Sequence, residues 1–239
     1  MGEVRIGTSG YQYDHWRGIL YPEGLAKRHW FEAYTQRFDT VEINNTFYRL
    51  PDARVFERWR EAAPPGFLYA LKFSRYGSHR RRLLDPQNSV THFIDAAGRL
   101  EPVLGPILVQ LPPRWDVNVE RLDTFLAFAP RRYRWAVEVR DPRWLTDAVF
   151  ATLARHGAAL CIHDHIKDHP REITSDWVYL RYHGAATATG SYSRTRLARE
   201  ADFIRDCLGR GRDVYAYFNN DQQGHAVRNA LQLKKFMSS

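Results

Sequence analysis

Long apolar runs are missing from this chain. No stretch approaches the roughly 20 consecutive residues that a membrane-spanning helix needs, so no membrane partner is expected. Cysteine is scarce: only Cys161 and Cys207 occur, without paired spacing, one in an apolar run and one in a predicted helix. That excludes a disulfide framework and leaves two small core residues. Pro/Gly/Ser-rich linkers, blocks of like charge and low-complexity tracts are also lacking, which argues against disorder and against two domains. A single domain over residues 1–239 is expected, long enough to bury a substantial core. The first residues, MGEVRIGTSG, enter a strand-like pattern without the basic and apolar regions of a signal peptide. A reduced, cytoplasmic setting is therefore expected.

Positive charge is what the chain has in excess. The net charge of +8 points to an anionic partner, whether phosphate, nucleic acid or an acidic small molecule, although basicity alone equally describes an inert surface.

Short strand-like runs recur at 4–9, 40–45, 67–73, 107–111, 135–140, 158–164, 177–184 and 213–221. Most gaps between them carry a helical stripe. Asp52 is placed to cap Val55, Phe56 and Trp59, and Val119, Leu122, Phe125 and Leu126 make a second stripe. Pro142 opens a third with Leu145, Val149 and Leu153, ended by Gly157. Leu197, Ala201, Ile204 and Leu208 stop at Gly209, and Val227, Ala230 and Leu231 finish the chain. Eight strands alternating with helices fit a TIM-barrel-like (β/α)8 barrel, an α/β fold. The segment IKDHPREITSD is too short and polar for a good helix, so the helix between strands 6 and 7 is expected to be reduced or missing. An open doubly wound sheet is the alternative, and it usually needs fewer strands.

The barrel explains an odd run, VEINNTFY, in which a carboxylate and two amides stand where a buried strand wants apolar residues. Alternate side chains of a barrel strand point inward, and those at its C-terminal end line the mouth. With Val41 and Ile43 facing the helices, Glu42 and Asn44 face the interior. The same phase turns Lys72, Gln110, Glu138, Arg140, Arg181, His183 and Asn219 inward. A polar residue thus recurs near the end of strand after strand.

Six segments together resemble the YecE-like family, also called domain of unknown function 72. They are GTSGYQYDHWRGILYP (7–22), FDTVEINNTFYRLP (38–51), LGPILVQLPP (104–113), AVEVRDPRW (136–144), YLRYHG (179–184) and YFNND…AVRNA (217–230). They span nearly the whole chain in the family's order. The resemblance implies a TIM-barrel-like fold and no particular activity; likeness to endonuclease IV-type and sugar isomerase-type barrels is a fold-level analogy. The family's fifth-strand motif commonly ends in Phe-Arg-His, whereas Val139-Arg140-Asp141 stands here, so Asp141 would add negative charge at the rim.

Glu42 and Glu138 are the candidate catalytic pair. Glycosidases use two carboxylates about 5 Å apart for retention or roughly 6.5–9.5 Å apart for inversion. Lys72, Arg140 and Arg181 in the same ring would hold both ionised, against a general acid at neutral pH. An ion-paired network that merely fills the barrel top is the structural alternative. The cations form the more consistent set: Arg140 and Arg181 can fork onto phosphate or carboxylate, and Lys72 adds a point charge. Asn44, Asn45, Gln110, Asp164, His183, Asn219 and Asn220 could orient a polar ligand, and Tyr11 and Tyr48 could stack on it. Trp16 reads better as packing. The Thr8-Ser9-Gly10 turn offers backbone N–H groups, a weak anion signal. His79-Arg80-Arg81-Arg82 follows the third strand and so lies on the mouth side.

A divalent metal is not favoured. His163, Asp164, His165, His183 and the two glutamates are candidates, but His163 and Asp164, being adjacent, point to opposite sides, and no H-E-x-x-H spacing occurs. Asp164 is the better mouth residue and His163 a core histidine. No Ser or Cys makes a recognisable nucleophile–base pair. Three readings follow: a protein that binds or acts on a phosphate-bearing ligand, such as a nucleotide or nucleic acid, as a hydrolase or phosphoesterase; a non-catalytic nucleic-acid-binding protein; and a carbohydrate-active hydrolase.

Overall fold

The computed structural model describes residues 2–184 and 189–238. Eight strands, β1 (Val4–Thr8), β2 (Thr40–Ile43), β3 (Leu68–Lys72), β4 (Leu104–Gln110), β5 (Trp135–Glu138), β6 (Ala159–His163), β7 (Trp177–Tyr182) and β8 (Asp213–Phe218), form one sheet. Its order is β1-β8-β7-β6-β5-β4-β3-β2, with every laddered pair parallel. The two ends of that order meet through a single bridge, Ser9 with Glu42, so the sheet is a nearly closed barrel of the TIM type. Among the described residues the helices are α1 (Trp30–Thr35), α2 (Asn45–Tyr48), α3 (Ala53–Ala62), α4 (Pro86–Ala97), α5 (Val119–Phe128), α6 (Asp147–Arg155), α7 (Arg194–Gly209) and α8 (His225–Met237). None of them is long and apolar enough to cross a membrane.

All the expected strands form, with Glu42, Lys72, Gln110, Glu138 and Arg181 at or next to the ends of their ladders and Arg140, His183 and Asn219 just beyond them. No helix lies between β6 and β7; residues 164–176 are irregular, as the polar composition there requires. The Pro142 stripe is corrected in one respect. Pro142–Trp144 make a single 3-10 turn, and α6 starts only at Asp147, where the Thr146 side chain accepts the Val149 N–H.

Two apolar layers follow from strand alternation. Val41, Leu71, Val109, Val137 and Leu160 belong to the outer layer that includes α-helical side chains. The bore is filled by Ala70, Leu108, Ala136, Ala159, Cys161, Trp177, Tyr179, Tyr215 and Tyr217. Small side chains from β3, β5 and β6 thus face large aromatics from β7 and β8 across the bore. Cys161 and Cys207 are both free and buried.

The β1–β2 seam is built differently from the other strand contacts. Any Cβ on Gly7 would stand 2.3 Å from the Thr40 carbonyl oxygen, so only glycine permits this approach. Beyond it, the Gly10 N–H donates to the Glu42 carbonyl at 2.7 Å, which sets Glu42 at the inner lip of the barrel.

Candidate functional site at the barrel mouth

Two residues further up the strands, the inner layer gives way to polar and charged side chains. Arg181 on β7 is 1% exposed and lies between two carboxylates that are wholly buried. Its Nη2 donates to Glu42 Oε1 at 2.7 Å and its Nη1 to Glu138 Oε2 at 2.5 Å. Glu42 also accepts from Ser9 Oγ at 2.6 Å and from the Tyr179 hydroxyl at 2.6 Å. Glu138 accepts from Gln110 Nε2 at 3.0 Å, its register partner on β4, and has Arg140 Nε at 2.5 Å and His183 Nε2 at 3.5 Å. Burial alone would push both carboxyls up. The Arg181 charge, helped by the Ser9 and Tyr179 hydrogen bonds at Glu42 and by His183 and Arg140 at Glu138, outweighs it. Glu42 therefore titrates below the usual carboxylate range and Glu138 well below it.

Three cations, Lys72, Arg140 and Arg181, stand against these two carboxylates, so the ring carries one surplus positive charge. Among the described residues, three buried N–H groups here have no well-aligned hydrogen-bond acceptor: Nε of Arg140, Nε of Arg181 and Nε2 of His183, the last with Glu138 Oε1 no nearer than 3.5 Å. Arg140 Nε is close to Glu138 without the alignment of a hydrogen bond. At His183, Nδ1 accepts from Asn219 Nδ2 at 3.1 Å, which leaves the proton of the neutral ring on Nε2. Solvent reaches the ring at the Arg140 side chain, 18% exposed, and at Lys72, 8% exposed.

Lys72, at the end of β3, makes no ion pair or hydrogen bond through Nζ among the described residues; Nζ sits 4.2 Å above the Phe47 ring. Burial and the neighbouring Arg181 push its pKa down to about 8, and Glu138 and Glu42 only partly oppose them. Burial, Lys72, Arg75 and Arg140 likewise hold His79 neutral, at about 4.

The expected site residues separate into groups. Glu42, Lys72, Gln110, Glu138, Arg140, Arg181, His183 and Asn219 come together in the ring. Asn44, Asn45 and Tyr11 line a groove of about 220 Å³ beside the end of β2. Tyr48 is 73% exposed and lines another groove. Asn220 turns its amide nitrogen to the chain, donating to the Gly190 carbonyl and to Asn229, while its Oδ1 has no partner among the described residues. Asp164 stands apart from the ring carboxylates: it accepts the His183 backbone N–H at 2.8 Å and the Tyr192 hydroxyl, with Arg196 at 3.5 Å. Asp141 adds no free charge to the rim, since Arg143 holds both of its oxygens. Trp16 is fully buried among Tyr13, Tyr21 and Tyr34 and donates to Asp221 at 2.6 Å.

His163 takes the inward phase of Cys161, and its ring reaches Glu138 and His183. Ligand atoms of these three side chains lie within 4.8 Å of one another, a spacing that could suit a metal ion. The donors do not fit that role. Nε2 of His163 lies 2.8 Å from the Val139 carbonyl and must carry the proton, while Nδ1 accepts the His165 N–H at 3.2 Å. A cation on Glu138 would also have to displace Arg140. Burial holds His163 neutral, at about 3.

Three residues of the ring were not anticipated from sequence: Tyr179 as a Glu42 donor, Ser9 as a second, and Phe47 as the face under Lys72. Tyr179 was findable, because it stands two residues before Arg181 and shares its phase.

A parallel eight-stranded barrel whose polar ring lies at the C-terminal strand ends defines the class of protein. The chain belongs to the family described as Protein of unknown function DUF72, whose model matches residues 5–239. It is 23% identical to the UPF0759 protein YunF of Bacillus subtilis (strain 168), over 98% of this chain and 94% of that one. Its fold is similar to the crystal structure of a DUF72 family protein from Thermotoga maritima MSB8, with a TM-score of 0.88 and 27% identity over 99% of this chain and 100% of that one. A DUF72 family protein from Enterococcus faecalis V583 shares the fold, with a TM-score of 0.82 and 20% identity over 99% and 96% of the two chains.

Proposed function

We propose that the barrel mouth binds a small anionic ligand through a carboxylate or phosphate group, with Arg140 and His183 as its principal donors. The observation that carries this reading is the cluster of buried N–H groups without a well-aligned acceptor among the described residues, on Arg140, Arg181 and His183, in a ring with surplus positive charge. A buried donor left unmade costs free energy, and an acceptor-bearing ligand would recover it. Glu42 and Glu138 serve to hold Arg181 rather than to exchange protons. Both are bound to one guanidinium and stay ionised, whereas glycoside hydrolysis needs one of the pair protonated.

Titration calorimetry with inorganic phosphate and with oxalate tests this. Heat of binding in the wild type that is lost in Arg140→Ala and weakened in His183→Phe is the expected result. Absence of binding for both anions, or binding indifferent to Arg140, overturns it.

A second reading, nucleic-acid binding, is favoured by a separate observation. Arg80, Arg81 and Arg82 are exposed beyond β3 and make no ion pair among the described residues. The exposed rings of Tyr48 and Tyr76 line one groove on the same side, a pairing of cations and stacking surfaces suited to single strands.

A further inference from the structure

We infer that Lys72 is an amine nucleophile that forms an imine with the carbonyl carbon of an aldehyde or keto compound bound at the barrel mouth. The anionic character of that compound rests on the reading above; the amine chemistry does not.

The chain makes little use of lysine. Of its 35 basic residues only Lys27, Lys72, Lys167, Lys234 and Lys235 are lysines, and Lys72 is the one that is buried. If the ring required only fixed charge at this position, arginine would supply it, as it does at 140 and 181. Arginine stays protonated and cannot act as a nucleophile, whereas a desolvated lysine can. The two carboxylates that could have clamped Lys72 are bound to Arg181 and Arg140 instead. Its Nζ rests on the Phe47 ring, an attachment without a hydrogen bond to break before reaction.

Its place on β3 is suitable as well. Lys72 follows Ala70 in the inward phase, so it stands at the C-terminal end of the bore, where ligands enter parallel barrels. The Thr46 hydroxyl donates to the Lys72 carbonyl at 2.7 Å and fixes the backbone there.

The groups facing the amine are Arg181, Glu138, Glu42 and Arg140, with His79 across the turn after β3. Their balance, with burial, sets the pKa at about 8, so roughly a tenth of the amine is free base at neutral pH. In the step itself the nitrogen lone pair attacks the carbonyl carbon and the C–O π bond breaks. Both protons of the neutral amine leave with the carbonyl oxygen as water, and a C=N bond remains. No oxidant or further reactant is needed.

The test is reductive trapping on the wild-type protein. Glyoxylate, which carries a carboxylate, and glycolaldehyde, which carries no charge, are each incubated with cyanoborohydride, and the modified lysines are identified by peptide mass mapping. A Lys72 adduct forming at least tenfold faster than any adduct at the four other lysines is expected. The rate should rise with pH around a midpoint near 8, and Lys72→Arg should abolish the adduct. Adducts confined to the other lysines, or distributed without preference, overturn the imine assignment. If glyoxylate and glycolaldehyde label Lys72 equally, and Arg140→Ala changes neither, the anion reading fails while the imine stands. A glyoxylate preference that disappears in Arg140→Ala supports both.

Discussion

The Thr8 N–H donates to the Tyr34 hydroxyl at 3.1 Å, in the gap where a β2 carbonyl would stand in a continuous ladder. The same hydroxyl donates to the Thr40 carbonyl at 2.9 Å, so one phenol from α1 bridges β1 and β2. Tyr34 is fully buried, and its removal would leave a donor and an acceptor unpaired inside the protein. Tyr34→Phe is expected to lower stability by about 1–3 kcal/mol. Urea unfolding would check this, and an unchanged midpoint would show that the seam closes without the phenol.

Gly7 provides a second test of the seam. In Gly7→Ala the new methyl would meet the Thr40 carbonyl oxygen at 2.3 Å, a backbone atom that cannot turn aside. The strands must separate, at a cost of about 1–3 kcal/mol, and the Ser9–Glu42 bridge beyond should loosen with them. Gly209→Ala serves as the control, since nothing stands within 4 Å of its added methyl. That change is expected to be neutral or slightly stabilising.

The barrel was legible because its signal is periodic. Alternation in TVEINN and WAVEVR fixes which side chains enter the bore, and the polar composition of IKDHPREITSD rules out a helix there. Alternation assigns a phase but not a partner. It turns Glu42, Glu138 and Arg181 inward, yet that Arg181 bridges both carboxylates depends on how β2, β5 and β7 converge across the bore. Asp164 was misplaced for a related reason. It follows the last residue of β6, where the strand phase no longer governs direction, and it is taken up by Tyr192 and Arg196 from a distant loop and helix. Tyr34 gave no sign at all, because a hydroxyl inserted between two strands has no sequence period.

Arg181 controls how the protein responds to acid. Glu42 and Glu138 titrate in the folded state below their unfolded values, so their contribution is present above about pH 4.3 and is lost as pH falls through the folded values. Arg181→Met removes the cation and leaves two buried carboxylates whose folded pKa values then rise. The sign reverses: this variant should be least stable near neutrality, by about 3–5 kcal/mol, and should recover on acidification. Urea midpoints from about pH 4 to 7 would show opposite slopes for the two proteins. Adding Glu42→Gln and Glu138→Gln should flatten the variant's slope.

Lys72 acts at the other end of the pH scale. Its folded pKa of about 8 lies below the unfolded lysine value, so the unfolded chain binds more protons between the two. Stability should therefore rise with pH from about 8 to 10.4 by an amount that disappears in Lys72→Met. The difference between the two proteins isolates this lysine from the tyrosines that titrate nearby. Parallel pH profiles would mean that Lys72 titrates like a solvated amine, and imine formation at neutral pH would lose its physical basis.

The exposed arginines after β3 separate the two ligand readings. If Arg80, Arg81 and Arg82 contact phosphates of a single strand, the logarithm of affinity falls linearly with the logarithm of salt concentration. Replacing all three with alanine should reduce that slope by about 2, near 0.7 for each contact. Phosphate or oxalate binding at the ring should not change, because no ring residue pairs with these side chains among the described residues. Fluorescence anisotropy of a labelled oligonucleotide across a salt series measures the slope directly. A wild-type protein that binds no strand at low salt would leave the mouth as the ligand site, and the arginine rim would then only set the field through which a small anion approaches.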